Sequence, residues 1–263
     1  MLFDPIPIDE YEPICVANNA LLSYTLLGVG LYVAWLEPFI VKSMRNVIPD
    51  ISDPILKENV ERFSRQEAQH YQNHQRFNET LLNQHYPGLQ QRYDELRLDF
   101  DQMLIEQDSK YGIGFVEGFE ALTTQGALRI LSSGALKHRA TDKRIADLFT
   151  WHLMEEIEHR NVAFDIYEHL YGDSLYRARM CLVAQTHIFR FLDDCTSIMS
   201  QHDRERFGER CHVTWPQRKL FRLGQWVATF RSSLPSYTPH NYVIPGDLQA
   251  LSDHYSAMAT KVS

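Results

Sequence analysis

The sequence has no Lys/Arg-rich block, no glycine-rich phosphate loop and no Cys-x-x-C pair. The first absence, with a formal net charge of -8, removes the electrostatic footprint of a nucleic-acid binder. The Gly-Val-Gly at Gly28 to Gly30 lies inside an apolar helical run rather than after a strand, so it is no dinucleotide fingerprint. The four cysteines, Cys15, Cys181, Cys195 and Cys211, are spaced neither as a zinc knuckle nor as a disulfide framework. They read as reduced thiols of a cytoplasmic protein. The N-terminal MLFDPIPIDEYEP is acidic and proline-rich and lacks the basic and apolar regions of a secretory signal. Alternating β-branched runs are scarce, so strands are not expected. There is no internal repeat and no Gly/Ser linker.

What is abundant is helix punctuation. Ala20 to Leu36 carries no charge, but it is shorter than the ~20 apolar residues of a spanning helix. Glu37 and Lys42 follow at once, so the run reads as a helix buried in the centre of a bundle rather than in a membrane. Helix 1 is expected over about Asn18–Arg45. Asp53-Pro54 caps helix 2, which runs to about His85 and is closed by Pro87-Gly88. Leu89 to Tyr111 is expected to be helical in part. Helix 3 covers about Ile113–Leu131, helix 4 Thr141–Tyr171, helix 5 Leu175–Met199 and helix 6 Trp215–Arg231. The Pro- and Tyr-rich tail reads as extended chain on the surface, with a final short helix. The expectation is one all-α domain over residues 1–263: a four-helix bundle over about 18–172, with extra helices and tail over 173–263.

Two helices carry Glu-x-x-His: Glu67/His70 and Glu156/His159. Positions i and i+3 share a helix face, so each pair presents a carboxylate and an imidazole to one point. Two such pairs, with one Glu from each of two further helices, form the ligand set of ferritin-like di-metal bundles. With 17 Glu and 12 His, about 0.8 such motifs arise by chance, and three occur, so the motif alone is weak. The third, Glu209/His212, lies in a polar segment beside Gly208 and is the one assigned to chance.

Register strengthens the other two. Glu37 lies about 13 residues before the centre of the helix 1–2 connection and Glu67 about 17 after it. At about 1.5 Å per residue they reach nearly the same height. Glu117 and Glu156 stand about 20 and 19 residues from the helix 3–4 connection, again at matched heights. Glu120 shares a face with Glu117 and is the alternative on helix 3. Four residues before Glu156, His152 lies within about 60° of Glu156 and His159 on a helical wheel and is a third histidine candidate. His74, one turn beyond His70, reads as a supporting or core residue. Glu155 and Glu158 fall off the stripe and read as supporting or surface groups. The order is not H-E-x-x-H, so a metalloprotease is excluded. Tyr71, Phe115, Phe119, Trp151 and Phe164 are at helical spacing and read as core.

The segment LFTWHLMEEIEHRNVAFDIY (Leu148 to Tyr167) and RQEAQHYQNHQRFN (Arg65 to Asn78) resemble a bacterial family described as predicted metal-dependent hydrolases. The likeness runs from about Ile6 to Tyr255. The H-x-x-x-E-x-x-H of helix 4 is also similar to that of the di-iron arylamine N-oxygenases, which carry one extra His ligand. These resemblances imply a ferritin-like fold, two metal ions, and ligand roles for Glu37, Glu67, His70, Glu117, His152, Glu156 and His159. Carboxylate and imidazole ligands without thiolate suit Fe, with Mn as the alternative.

Three functions fit, in this order: an O2-activating di-iron oxygenase or oxidase, a two-metal hydrolase, and a metal store. A small hydrophobic or aromatic substrate is expected. So is a separate electron-donor protein, because the chain has no dinucleotide motif of its own. A homodimer is the assembly considered. Nucleic acid and membrane are not expected partners.

Overall fold

The computed structural model describes residues 2–251, and among them helices dominate and no strand is formed. α1 (Ala20–Val47) begins at Asn19, whose side chain accepts from the Leu22 amide at 3.0 Å. Pro38 sits inside α1 and withholds an N–H from the Ala34 carbonyl, one residue past Glu37. α2 (Pro54–Leu82) starts with proline at its first position and Asp53 as the cap. The two helices fold back on each other and pack along their length. Gly30 gives the room: a Cβ there would stand 3.3 Å from Nδ1 of His74.

The chain then turns through His85 and Gly88, both at positive φ, into α3 (Leu89–Glu106). The segment expected to be partly helical is thus helical over 18 residues, because Leu89, Tyr93, Leu96 and Phe100 form one buried stripe. α4 (Ser109–Ser132) is capped by Asp108 and begins four residues before its expected start. A short α5 (Ala135–Arg139), not anticipated, occupies the connection after Gly134.

Helix 4 was expected to run unbroken to Tyr171. It is two helices, α6 (Lys143–Glu158) and α7 (Val162–Leu170). At the break, the Val162 amide bonds to the His159 carbonyl and the Asp165 amide to Asn161, so the register restarts at a turn around His159. α8 (Ser174–Phe207) extends eight residues beyond the expected end, to Gly208 at φ 84°. α9 (Trp215–Ser232) opens with Thr214 and Gln217 as a reciprocal capping box. The tail holds a 3-10 turn at Pro239–Asn241, and residues 246–251 are helical.

α8 packs on both α1 and α4. Its approach to α4 depends on Gly118, where a Cβ would fall 2.7 Å from the Cys181 Cα. One large apolar core joins α1, α2, α3, α4, α7 and α8, and a second, smaller one lies under α5 and α6. The apolar window of α1 is 83% buried inside the protein. All four cysteines are buried and free.

Candidate metal centre

Four helices bring their acids and imidazoles to one buried place: Glu37 from α1, Glu67, His70 and His74 from α2, Glu120 from α4, and His152 and Glu156 from α6, with His159 at the α6 terminus. Each of these side chains is at most 3% exposed, which for carboxylates demands partners. Glu67, His70, Glu156 and His159 offer ligand atoms that all lie within 4.8 Å of one another. Glu37, His74 and His152 do the same. The two groups adjoin. Glu156 of the first stands 2.7 Å from Nε2 of His152 in the second, and the His70 and His152 rings stack at 4.2 Å.

Within the first group, His159 Nε2 lies 3.2 Å from Glu67 Oε1 but without hydrogen-bond geometry, and its Nδ1 lies 3.5 Å from Glu120. His70 Nδ1 is 3.7 Å from Glu67 and has no hydrogen-bond partner. Its Nε2 stands 2.9 Å from Glu155, whose other oxygen accepts from Trp151 Nε1 at 2.9 Å. A carboxylate can only accept, so Glu155 keeps the His70 proton on Nε2 and leaves Nδ1 facing the group. In the second group, His74 Nε2 and His152 Nδ1 are 2.6 Å apart. His74 is thus drawn into the cluster, although its spacing alone suggested a supporting or core residue.

Glu117 lies elsewhere. Its Oε1 accepts from Arg177 of α8 at 3.2 Å, and Arg177 is itself only 1% exposed. Arg177 also donates to the carbonyls of Ser232 and Leu234. On this helix it is Glu120, and not Glu117, that stands beside the cluster. The two differ by about 4.5 Å along the axis, less than one turn, which is finer than a height counted from loop centres resolves. Glu209 and His212 form an exposed surface pair at 3.3 Å, remote from the cluster in contact.

The electrostatics show an excess of acid. Burial raises the carboxyls of Glu37 and Glu120 well above the usual range and pushes Glu67 up to about 7. Burial works against charge on His70 too, yet Glu155 and Glu67 hold that imidazole well above its ordinary value. Burial depresses His74 and His152, and brings His159 down to about 4. Glu156 is the exception among the acids: burial pushes it up, but His159 and His152 outweigh that and hold it low. Both oxygens of Glu37 and both of Glu120 have no hydrogen-bond partner, nor has either nitrogen of His159. Partnerless buried carboxylates are costly, and cations coordinated between them would remove that cost. The donor set of oxygens and imidazole nitrogens, without sulfur, fits two divalent ions.

A cavity of about 430 Å³ opens onto the cluster. His152 and Glu156 form part of its wall, and Val33, Phe119, Ile188 and Leu192 make the rest mainly apolar. Sequence reasoning had no signal for this space, since its walls come from helices distant in the chain.

No curated protein and no solved structure matches the chain significantly. A family model described as "Predicted metal-dependent hydrolase" does match, over residues 6–243, and the buried Glu/His cluster lies wholly inside that span; the chain belongs to this family.

Proposed function

We propose that the protein is a dinuclear metal enzyme of ferritin-like type that activates O2 at iron and acts on a small apolar substrate. The observation that carries the reading is the pair of buried carboxylates without hydrogen-bond partners, Glu37 beside His74 and His152, and Glu120 beside His159. Glu67, His70, Glu156 and His159, with Glu120, would hold one ion, and Glu37, His74 and His152 the other. Glu156, which touches both groups, is placed to serve both. When bound, two irons supply Lewis acidity and the electrons that O2 activation consumes.

The chain's own residues supply the rest. Glu155 and Trp151 fix the orientation of His70. The largely apolar cavity offers a small apolar substrate a place beside His152 and Glu156. The resemblance to arylamine N-oxygenases rests on His152 beside His70 and His159; His74 is a further histidine that it does not include. The second reading is a two-metal hydrolase, supported by the description of the family.

The test is metal content per chain after anaerobic Fe(II) loading, beside a Glu67→Ala/Glu156→Ala double variant, followed by O2 uptake. About two metals per chain, lost in the variant, and rapid O2 consumption by the reduced protein support the proposal. Absence of stoichiometric metal overturns it. Turnover of esters or amides with zinc, together with inert reduced iron, transfers the site to the hydrolase.

A further inference from the structure

α9 is inside out. Its buried residues are polar and small: Gln225, Thr229 and Ser232. Ser232 Oγ lies among the side chains of Gln185 and Cys181, and the Ser232 carbonyl accepts from Arg177. Its large apolar residues point outward instead. Trp215, Leu220, Leu223, Trp226, Val227 and Phe230 are all exposed, Leu220 by 72% and Phe230 by 68%. On a helical wheel these six fall within an arc of about 140°. Single exposed apolar residues need no explanation, but a continuous stripe along one helix does.

The charge on α9 is equally one-sided. It carries Arg218, Lys219, Arg222 and Arg231 and no acidic residue, in a chain whose net charge is -8. Lys219 lies within the apolar arc, with its ammonium 5.0 Å from the Trp215 ring centre. Arg222 and Arg231 flank the arc. Arg218 and Arg222 reach back to Asp193 of α8.

We infer that α9 is a docking surface for an anionic lipid bilayer. Aromatic and aliphatic side chains on one face, flanked by Lys and Arg, are what an interfacial helix lays into the headgroup boundary. Lys219 and Arg231, which are exposed, meet anionic headgroups. A second copy of the chain fits this charge pattern poorly. Arg218 and Arg222 are already paired with Asp193, and a two-fold contact would lay Lys219 and Arg231 of one copy on a helix that carries no acidic residue. The surface is distinct from α1, which is apolar but buried.

Phe221 and Gln225, on the inward side of the same helix and away from the exposed stripe, line the cavity that reaches His152 and Glu156, so the docking is independent of the proposed function.

The test is sedimentation of the full chain with vesicles of phosphatidylcholine alone or with phosphatidylglycerol at three parts in ten, the ratio being roughly that of an anionic leaflet. Expected is a partition at least about tenfold higher on the anionic vesicles, falling as salt is raised from about 0.1 M. Leu223→Glu/Trp226→Glu abolishes it while helical circular dichroism and metal content stay unchanged. Lys219→Glu/Arg231→Glu, which alters only exposed cations, weakens it to the level of neutral vesicles and carries the test if the first variant fails to fold. Absence of binding to anionic vesicles at low salt overturns the inference, as does equal binding by the charge variant. So does a wild-type dimer that Leu223→Glu/Trp226→Glu converts to monomer without any vesicle binding.

Discussion

Glu155 of α6 and His70 of α2 meet at 2.9 Å, and Trp151 holds the far oxygen of the same carboxylate. Glu155 lies off the stripe shared by His152, Glu156 and His159, yet it determines which nitrogen of His70 faces the cluster. Burial pushes its carboxyl up, but His70 outweighs that and keeps it below the usual range, so it stays an acceptor. Replacing Glu155 with Ala should weaken metal binding by about 10–100-fold while leaving the fold intact, because carboxylates behind metal-bound histidines have effects of that size. Competition titration with a chelator measures it. An unchanged affinity would mean that packing alone orients His70.

Glu117 and Glu120 have different surroundings on one helix: the first pairs with Arg177, the second faces His159. Glu120→Ala should lower metal content and leave the metal-free protein as stable or more stable, since a partnerless buried carboxylate is removed. Glu117→Ala should retain metal but destabilise by up to about 3–5 kcal/mol, because Arg177 is left buried with only the exposed Glu168, 4.0 Å away, as counter-charge. Denaturant unfolding and elemental analysis of both variants decide this, and the reverse pattern would return the ligand role to Glu117.

Gly118→Ala should cost about 1–3 kcal/mol, since the added methyl meets the backbone of α8 and not a side chain that can swing away. A lowered melting temperature is expected. No change would show that α4 and α8 separate more easily than their contact implies.

Asp203 gives a pH signature away from the cluster. It is buried and accepts from Tyr24 at 3.0 Å and Tyr86 at 2.8 Å, while its second oxygen has no partner. Burial raises its carboxyl, against the lowering effect of the two tyrosines. A raised acid favours the fold when protonated. That contribution is complete below the ordinary value of about 3.9 and is lost as pH rises through the folded value. Asp203→Asn cannot titrate, so its stability relative to wild type should improve as pH rises from about 4 and level off once the folded carboxyl is ionised, beyond any fixed offset. Thermal unfolding across that range reads the slope, and parallel curves would refute it.

Much of the centre was legible because helical periodicity is local. Glu67/His70 and Glu156/His159 announce themselves at i and i+3, and Glu37 stands out as a charge at the end of an apolar run. What escaped depends on partners distant in sequence. Arg177 takes Glu117 from 60 residues away, and nothing in either helix foretells the pairing. The contact between His74 and His152 spans 78 residues. The break at His159 has neither Pro nor Gly to mark it, and the apolar pattern continues through it. α9 shows the opposite failure: its amphipathic pattern is plain, but a pattern does not say which face is turned inward, and here the apolar face is turned out.

The cluster's span from Glu37 to His159 bears on the order of events during synthesis. A nascent chain exposes Glu37 in an apolar helix long before His152, Glu156 and His159 leave the ribosome, and at about 5–20 residues per second that interval lasts several seconds or more. Until then, neither group of ligands is complete, so no early fragment can retain metal in this way. Metal acquisition is consequently a late event, and a chain truncated ahead of α6 would keep the acidic half of the centre with little to neutralise it.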